Sequence, residues 1–184
     1  MQAMTKVFII HGTESDPESN WFPWLKKELE KLKVEVIIPR FPTPKGQNFD
    51  NWMAVMKPHF SKIGKDTIFI GHSIGVAFIL GLVEKLNVKV KGLFSVAGFV
   101  GSLWDEKYDP LCETFAQRNF NWERLEKSFG KVFIYQSDDD PYLPMEKSFD
   151  LAYKLNGEQV ELTKLGHISQ KKFDRVLEDI KSIL

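Results

Sequence analysis

In Gly71-His72-Ser73-Ile74-Gly75 a serine sits between two glycines, after the short apolar run Thr67-Ile68-Phe69-Ile70 and before a segment in which Val76, Ile79, Leu80 and Val83 recur at helical spacing. Strand, sharp turn and helix are the context of a nucleophile elbow. A turn this tight leaves no room for side chains beside the serine, and glycine at 71 and 75 removes them. The expected result is a strained Ser73 whose hydroxyl stands clear of the sheet, above a helix N-terminus that favours negative charge. His72 is read as packing or orienting locally rather than reacting. The plainer alternative for the stretch is an ordinary glycine-rich strand-to-helix turn.

A serine hydroxyl is a poor nucleophile at neutral pH. It needs a neutral imidazole to take its proton and a buried carboxylate to hold that imidazole in the right tautomer. Parallel sheets bind ligands at the carboxyl ends of their strands, so the partners are sought there. The predicted strand ends carry His11-Gly12-Thr13, Ser73, Ser137-Asp138-Asp139-Asp140 and Gly166-His167. Serine, acid and histidine therefore follow one another in the chain order of an α/β-hydrolase, with His167 as the base. His59 falls in a predicted helix and His72 adjoins the serine. Among the aspartates, Pro141 biases Asp140 toward an extended backbone suited to a carboxylate aimed inward, so Asp140 is favoured as the acid, with Asp139 as the alternative. Asp138 is read as a solvated turn residue, and an acidic turn made by all three is the plainer reading. Three contiguous aspartates lack the alternate spacing of a calcium loop. The developing oxyanion needs preorganised donors, for which the backbone N–H groups of Ile74 and Thr13 are the candidates, with His11 bracing the loop.

The elements that must position these groups follow from periodicity. Val7 to Ile10 is a buried strand, followed by a helix on which Phe22, Leu25, Leu29 and Leu32 share a face, with Asn20 as its N-cap. Val34 to Ile38 is a second strand, and the proline-rich 39–46 segment is loop. A helix from Phe49 to Phe60 is expected to be kinked or shortened by Pro58. After the elbow come a strand over Val88 to Val96, a long irregular connection to about Phe120 read as a pocket wall, and a short helix from Asn121 to Ser128. A strand over Lys131 to Gln136, a helix from Pro144 to Leu155 and a strand over Gln159 to Leu165 follow. A closing helix is striped by Phe173, Val176, Leu177, Ile180 and Leu184. Alternating strands and helices imply one domain over residues 1–184, a three-layer α/β fold whose six-stranded, mostly parallel sheet has helices on both faces. Trp21, Phe41, Phe99, Trp104 and Tyr142 are candidates for an apolar pocket.

Composition narrows the function classes. Of the 184 residues 43% are hydrophobic, which suits a packed core. Lys plus Arg (25) balance Asp plus Glu (25), so no basic field draws the chain to nucleic acid or an anionic membrane. The lone Cys112 excludes an internal disulfide and a cysteine-rich zinc site, and fits a cytoplasmic location. Apolar runs fall short of a membrane span, and Met1 to Met4 lead into a strand rather than a signal sequence.

The chain resembles, over nearly its whole length, the small α/β-hydrolases typified by retinoblastoma-binding protein nine and its bacterial relatives. The resemblance rests on His11-Gly12, Asn20-Trp21-Phe22-Pro23-Trp24-Leu25, the elbow, Asp139-Asp140-Pro141-Tyr142-Leu143-Pro144 and Gly166-His167. It implies Ser73 as nucleophile, Asp140 as acid and His167 as base on a compact hydrolase fold without a separate lid domain, and no metal or organic cofactor. Two features depart from it. Ile168 stands where an aromatic residue is expected after Gly-His, a change expected to alter the pocket more than the chemistry. Leu111-Cys112-Glu113 is contiguous and is not a Leu-x-Cys-x-Glu motif, so a retinoblastoma-type partner is not carried over and no protein partner is assigned. The expected function is hydrolysis of small carboxylic esters, with thioesters and amides as further substrates, through an acyl-enzyme. The alternative is a catalytically silent hydrolase-fold module that binds or scaffolds other proteins.

Overall fold

Strands that are apolar on consecutive positions need cover on both faces. Val7 to Ile10 and all of Thr67–His72 are buried in the computed structural model, which describes residues 5–184. The reading of Met1 to Met4 lies outside the described residues. The strands are β1 (Lys6–Ile10), β2 (Glu35–Ile37), β3 (Thr67–His72), β4 (Val90–Val96), β5 (Phe129–Ser137) and β6 (Glu158–Leu162). They form one sheet in the order β2-β1-β3-β4-β5-β6, and every neighbouring pair is parallel. Helices α1 (Phe22–Lys31), α2 (Phe49–Met56), α3 (Ile74–Leu86), α4 (Asp109–Ala116), α5 (Trp122–Glu126), α6 (Met145–Leu155) and α7 (Asp174–Lys181) connect or close them.

Right-handed crossovers decide the layers. The step from β1 out to β2 puts α1 on one face, where it meets α7. The return from β2 across β1 to β3 puts α2 on the other, beside α3, and α5 and α6 follow there. Strand order thus reverses between β1 and β3, the topological switch point at which such sheets form their binding crevice. The register pairs Ile10 with Gly71, so the chain leaving β1 at His11-Gly12-Thr13 runs beside the chain leaving β3 at Ser73.

Several local outcomes differ from the sequence reading. Helix α1 starts at Phe22, and Asn20 gives no cap bond; it takes the left-handed turn (φ 53°) that precedes Trp21, whose side chain is fully buried. Pro58 does shorten the helix before it: the α-helix stops at Met56 and tightens into a 3-10 turn over Lys57–Lys62. The 98–120 connection is not irregular throughout, because α4 lies within it. Pro110 is tolerated in the first turn of α4, and the Asp109 carboxylate accepts from Leu103 N (2.7 Å) and Trp104 N (3.1 Å), tying the loop to the helix start. Leu184, expected on the apolar stripe of α7, lies beyond the helix end and is exposed.

The closest approach of a glycine to another segment's backbone is at Gly75. A Cβ there would stand 2.5 Å from Ile10 O and 2.7 Å from His11 O, backbone atoms that cannot swing aside. Gly75→Ala is therefore expected to destabilise by about 2–3 kcal/mol, lowering the melting temperature by about 4–12 °C in calorimetry. A Gly75→Ala protein melting with the natural one would mean that β1 and α3 are not held this close.

Candidate active site

Ser73 occupies the turn between β3 and α3 at φ 56°, ψ −127°, a backbone region a non-glycine residue enters only under constraint. The constraint is visible on both sides. Ser73 N donates to Val96 O at the end of β4 (2.9 Å), Val76 N donates to Ser73 O (3.1 Å), and a Cβ at Gly71 would strike Val76 and Ile79 within 2.9 Å. The serine is partly exposed in a cleft of about 250 Å³ that His167 also lines. Among the described residues Ser73 Oγ makes no hydrogen bond to His167; the two side chains share the cleft with no direct bond, a spacing often seen before substrate binds.

The end of β5 and the loop after β6 are joined residue by residue. Asp138 Oδ1 accepts from Lys164 N (2.9 Å), Ser137 Oγ from Leu165 N (2.9 Å), Asp139 Oδ1 from Gly166 N (2.8 Å), and Asp140 Oδ2 lies 2.9 Å from His167 Nδ1. The run of aspartates is thus a bracket rather than a solvated turn, although Asp138 and Asp139 are themselves exposed. Asp140, not Asp139, faces the histidine. Its carboxylate is completely buried and also accepts from Tyr142 N (2.9 Å), Leu143 N (3.1 Å) and Gln136 Nε2 (3.1 Å). Burial pushes the Asp140 pKa up, but the His167 hydrogen bond and charge, with the Tyr142 N–H and Gln136 amide, outweigh it and leave the group below its ordinary value. Because a carboxylate can only accept, Nδ1 of His167 carries the proton and Nε2 is left for the cleft.

The carbonyls of the same loop are held from beneath. His72 Nε2 donates to His167 O (2.9 Å), and Trp21 Nε1 donates to Ile168 O (3.0 Å). Burial and the neighbouring His167 push the His72 pKa down to about 3, so His72 stays a neutral donor. Ile168 adopts φ 52° with its side chain fully buried. It therefore packs in the core and does not line the cleft, which corrects the expectation that its departure from an aromatic would alter the pocket.

On the other side of Ser73, His11 is buried and neutral, its pKa lowered chiefly by burial. Phe41 N donates to its Nε2 (3.0 Å), so the proton sits on Nδ1, which donates to Gly12 O (2.9 Å). Gly12 O and Thr13 N belong to one trans peptide and point opposite ways, so fixing the carbonyl on His11 turns the Thr13 N–H away from it. Neither Thr13 N nor Ile74 N is engaged in another hydrogen bond among the described residues.

Of the five aromatic pocket candidates, Phe99 and Tyr142 line the cleft. Trp21 and Phe41 are core residues and Trp104 is exposed away from it. Tyr142 stands edge-on to His167 at 5.0 Å, and Tyr108 edge-on to Tyr142 at 5.8 Å. Leu103, Tyr108 and Cys112 complete the wall from the 98–116 segment, and burial pushes the Cys112 thiol up to about 12, so it lines the cleft uncharged. Among the described residues no group of three or more His, Cys, Asp or Glu is placed to hold a metal ion, and no helix is long and apolar enough to cross a membrane. Gln136, a polar residue closing the apolar run of β5, is a partner of the acid that the sequence reading missed, and its position in that run was the available signal.

The serine hydrolase family matches residues 7–182. YdeN of Bacillus subtilis (strain 168) is 30% identical over 167 residues, covering 89% of this chain and 86% of its own length. The serine hydrolase RBBP9 of Rattus norvegicus is 25% identical over 187 residues, covering 100% of this chain and 98% of its own. The crystal structure of the ydeN gene product of B. subtilis superposes with a TM-score of 0.91 at 26% identity over 98% of each chain. Sheet order, elbow and whole-chain similarity coincide on the α/β-hydrolase fold, and the chain belongs to the serine hydrolase family of enzymes.

Proposed function

We propose that this enzyme hydrolyses small carboxylic esters, with thioesters and amides open to the same chemistry, through an acyl-enzyme on Ser73, with His167 as general base and acid and Asp140 as the carboxylate that orients it. The observation that carries the reading is the 2.9 Å contact of His167 Nδ1 with the buried Asp140, in the cleft that the strained Ser73 enters. Ser73 Oγ attacks the ester carbonyl as Nε2 of His167 takes its proton. The carbonyl oxygen, now anionic, is met by the N–H of Thr13 in the loop after β1 and by that of Ile74 at the N-terminus of α3. Collapse breaks the bond to the leaving alkoxide, which departs as the alcohol with the proton from His167. Water then gives a proton to His167 and adds to the acyl carbon. Collapse returns that proton to Ser73 and releases the carboxylic acid. Asp140 stays ionised throughout and stabilises the imidazolium. The cleft volume of about 250 Å³ lies below the ~300–1,000 Å³ of drug-sized sites, which favours compact acyl groups.

Treatment with a fluorophosphonate followed by intact-mass measurement should give a single adduct on the natural protein and none on Ser73→Ala, with His167→Ala strongly slowed. Hydrolysis of p-nitrophenyl acetate should fall about 10⁴-fold or more in folded Ser73→Ala. Full activity in that variant would remove this mechanism.

Asp140 also links the site to stability. Its folded pKa lies below the unfolded value of about 3.9, so the folded state binds fewer protons in that range. The ionised group stabilises in full above about pH 4, and that contribution disappears as pH falls through the lower folded pKa. The melting-temperature advantage of the natural protein over Asp140→Asn should accordingly be constant from about pH 7 to 5 and shrink toward pH 2. An advantage independent of pH would show that the charge of Asp140 does not contribute.

A further inference from the structure

Gln47 lies in the turn between the proline-rich loop and α2, outside every motif above, yet it is 8% exposed. Its amide is fully used. Nε2 donates to Thr13 Oγ1 (2.8 Å) and to Leu111 O (2.9 Å), and Oε1 accepts from Thr43 Oγ1 (2.6 Å), which itself accepts from Glu14 N (2.8 Å). The direction of this chain is determined at both ends. Leu111 O can only accept, so the amino group must lie on that side, and Glu14 N can only donate, so the Thr43 proton must go to Gln47 Oε1. One buried side chain therefore holds Thr13 by its hydroxyl and the next residue by its N–H through Thr43. It also ties both to α4, which carries the opposite wall of the cleft.

We infer that Gln47 is a positioning residue for the oxyanion loop: its amide fixes Thr13 from the side-chain side while His11 fixes the preceding carbonyl, and the Thr13 N–H is left at a set angle to Ser73. The inference rests on the acyl-enzyme reading, since the Thr13 N–H matters only where an oxyanion forms. A buried amide whose N and O both have partners is held rigidly, and misplacement of a catalytic donor by about 1 Å can lower a rate up to about a hundredfold. The plainer role for Gln47 is to knit α2 to α4, and that role would act through stability and through Leu111.

The two roles separate in a double-mutant experiment on the full chain, with p-nitrophenyl acetate turnover and the fluorophosphonate labelling rate as readouts and circular dichroism as the check on folding. Gln47→Met should lower kcat and labelling about ten- to a hundredfold while KM changes by less than about threefold, because the contact acts on the transition state. The same loss should appear in a Thr13→Ser background, which keeps the hydroxyl. In a Thr13→Val background, where the acceptor is already gone, adding Gln47→Met should change kcat by less than about threefold. Thr13→Val by itself leaves the Leu111 and Thr43 bonds of Gln47 intact and should reproduce the loss, so the inference is testable even where Gln47→Met folds poorly. Full kcat in folded Thr13→Val, or an equal effect of Gln47→Met in both Thr13 backgrounds, overturns it. An unlabelled natural protein would instead remove the acyl-enzyme reading on which it stands, whereas a labelled natural protein with an equally active Gln47→Met removes only the role of Gln47.

Discussion

A carboxylate buried to zero exposure is costly unless its oxygens are met, and the rest of the site depends on how Asp140 is met. Two backbone N–H groups, the Gln136 amide and the His167 ring supply four donors, so the charge is held in the interior without a cationic residue permanently beside it. Leaving a buried group without one of its hydrogen-bond partners costs about 1–3 kcal/mol, and more when the group is charged. The same contact fixes the proton of His167 on Nδ1 and leaves Nε2 for the cleft. One hydrogen bond therefore both meets part of the buried charge and sets the tautomer of the imidazole.

That contact would be loose if the loop carrying His167 could move, and the loop is strained. Lys164, Gly166 and Ile168 all have positive φ, which for a β-branched residue such as Ile168 costs about 1–3 kcal/mol. What holds it is distributed over neighbouring elements. Ser137, Asp138 and Asp139 take the N–H groups of three successive loop residues, while His72 and Trp21 take the next two carbonyls. His72 links the elbow to the His167 loop, since it is adjacent to Ser73 in the chain and hydrogen-bonded to the backbone of His167. The strain at Ser73 is held similarly, by β4 through its N–H and by the close approach of β1 to α3 at Gly75.

How much of this could be read from residue order follows from which interactions are local. The elbow was legible because its requirement, two glycines about a serine between a strand and a helix, is local in sequence. So was the preference for Asp140, because Pro141 acts on its neighbour. Asp138 and Asp139 were read as turn or alternative acid because their partners, the N–H groups of Lys164 and Gly166, lie 26 and 27 residues away, and no periodicity announces a side-chain-to-backbone bond. Trp21 and Ile168 were misplaced for a related reason. An aromatic or aliphatic residue near a motif is equally consistent with cleft and core, and here the Trp21 indole faces inward to reach Ile168 O, 147 residues away. The helix α4 was missed because its short amphipathic run is preceded by loop-forming residues and is stabilised by Asp109 bonding backward to Leu103 and Trp104.

The cleft is built in two different ways. Its floor, with Ser73 after β3 and His167 in the loop after β6, is held by hydrogen bonds of the buried or part-buried side chains His11, His72, Asp140 and Gln47. Its outer wall, Leu103 to Tyr108, is tied to the start of α4 by the Asp109 carboxylate and is held in addition from the surface. Lys107 pairs with Glu14 across the mouth at 3.2 Å, both side chains well exposed, and Lys147 of α6 donates to Val100 O (3.3 Å) and Ser102 O (2.6 Å). An exposed ion pair contributes little, about 0–1 kcal/mol, and is screened by salt, whereas the buried network is not. The groups that orient the site, His11, His72 and the Asp140 carboxylate, are thus buried, whereas the outer wall is tied in part by interactions weak enough to rearrange. On the proposed acyl-enzyme reading, substitution along 102–108 changes which acyl groups fit and leaves the elbow's own bonds, Ser73 N to Val96 O and Val76 N to Ser73 O, in place.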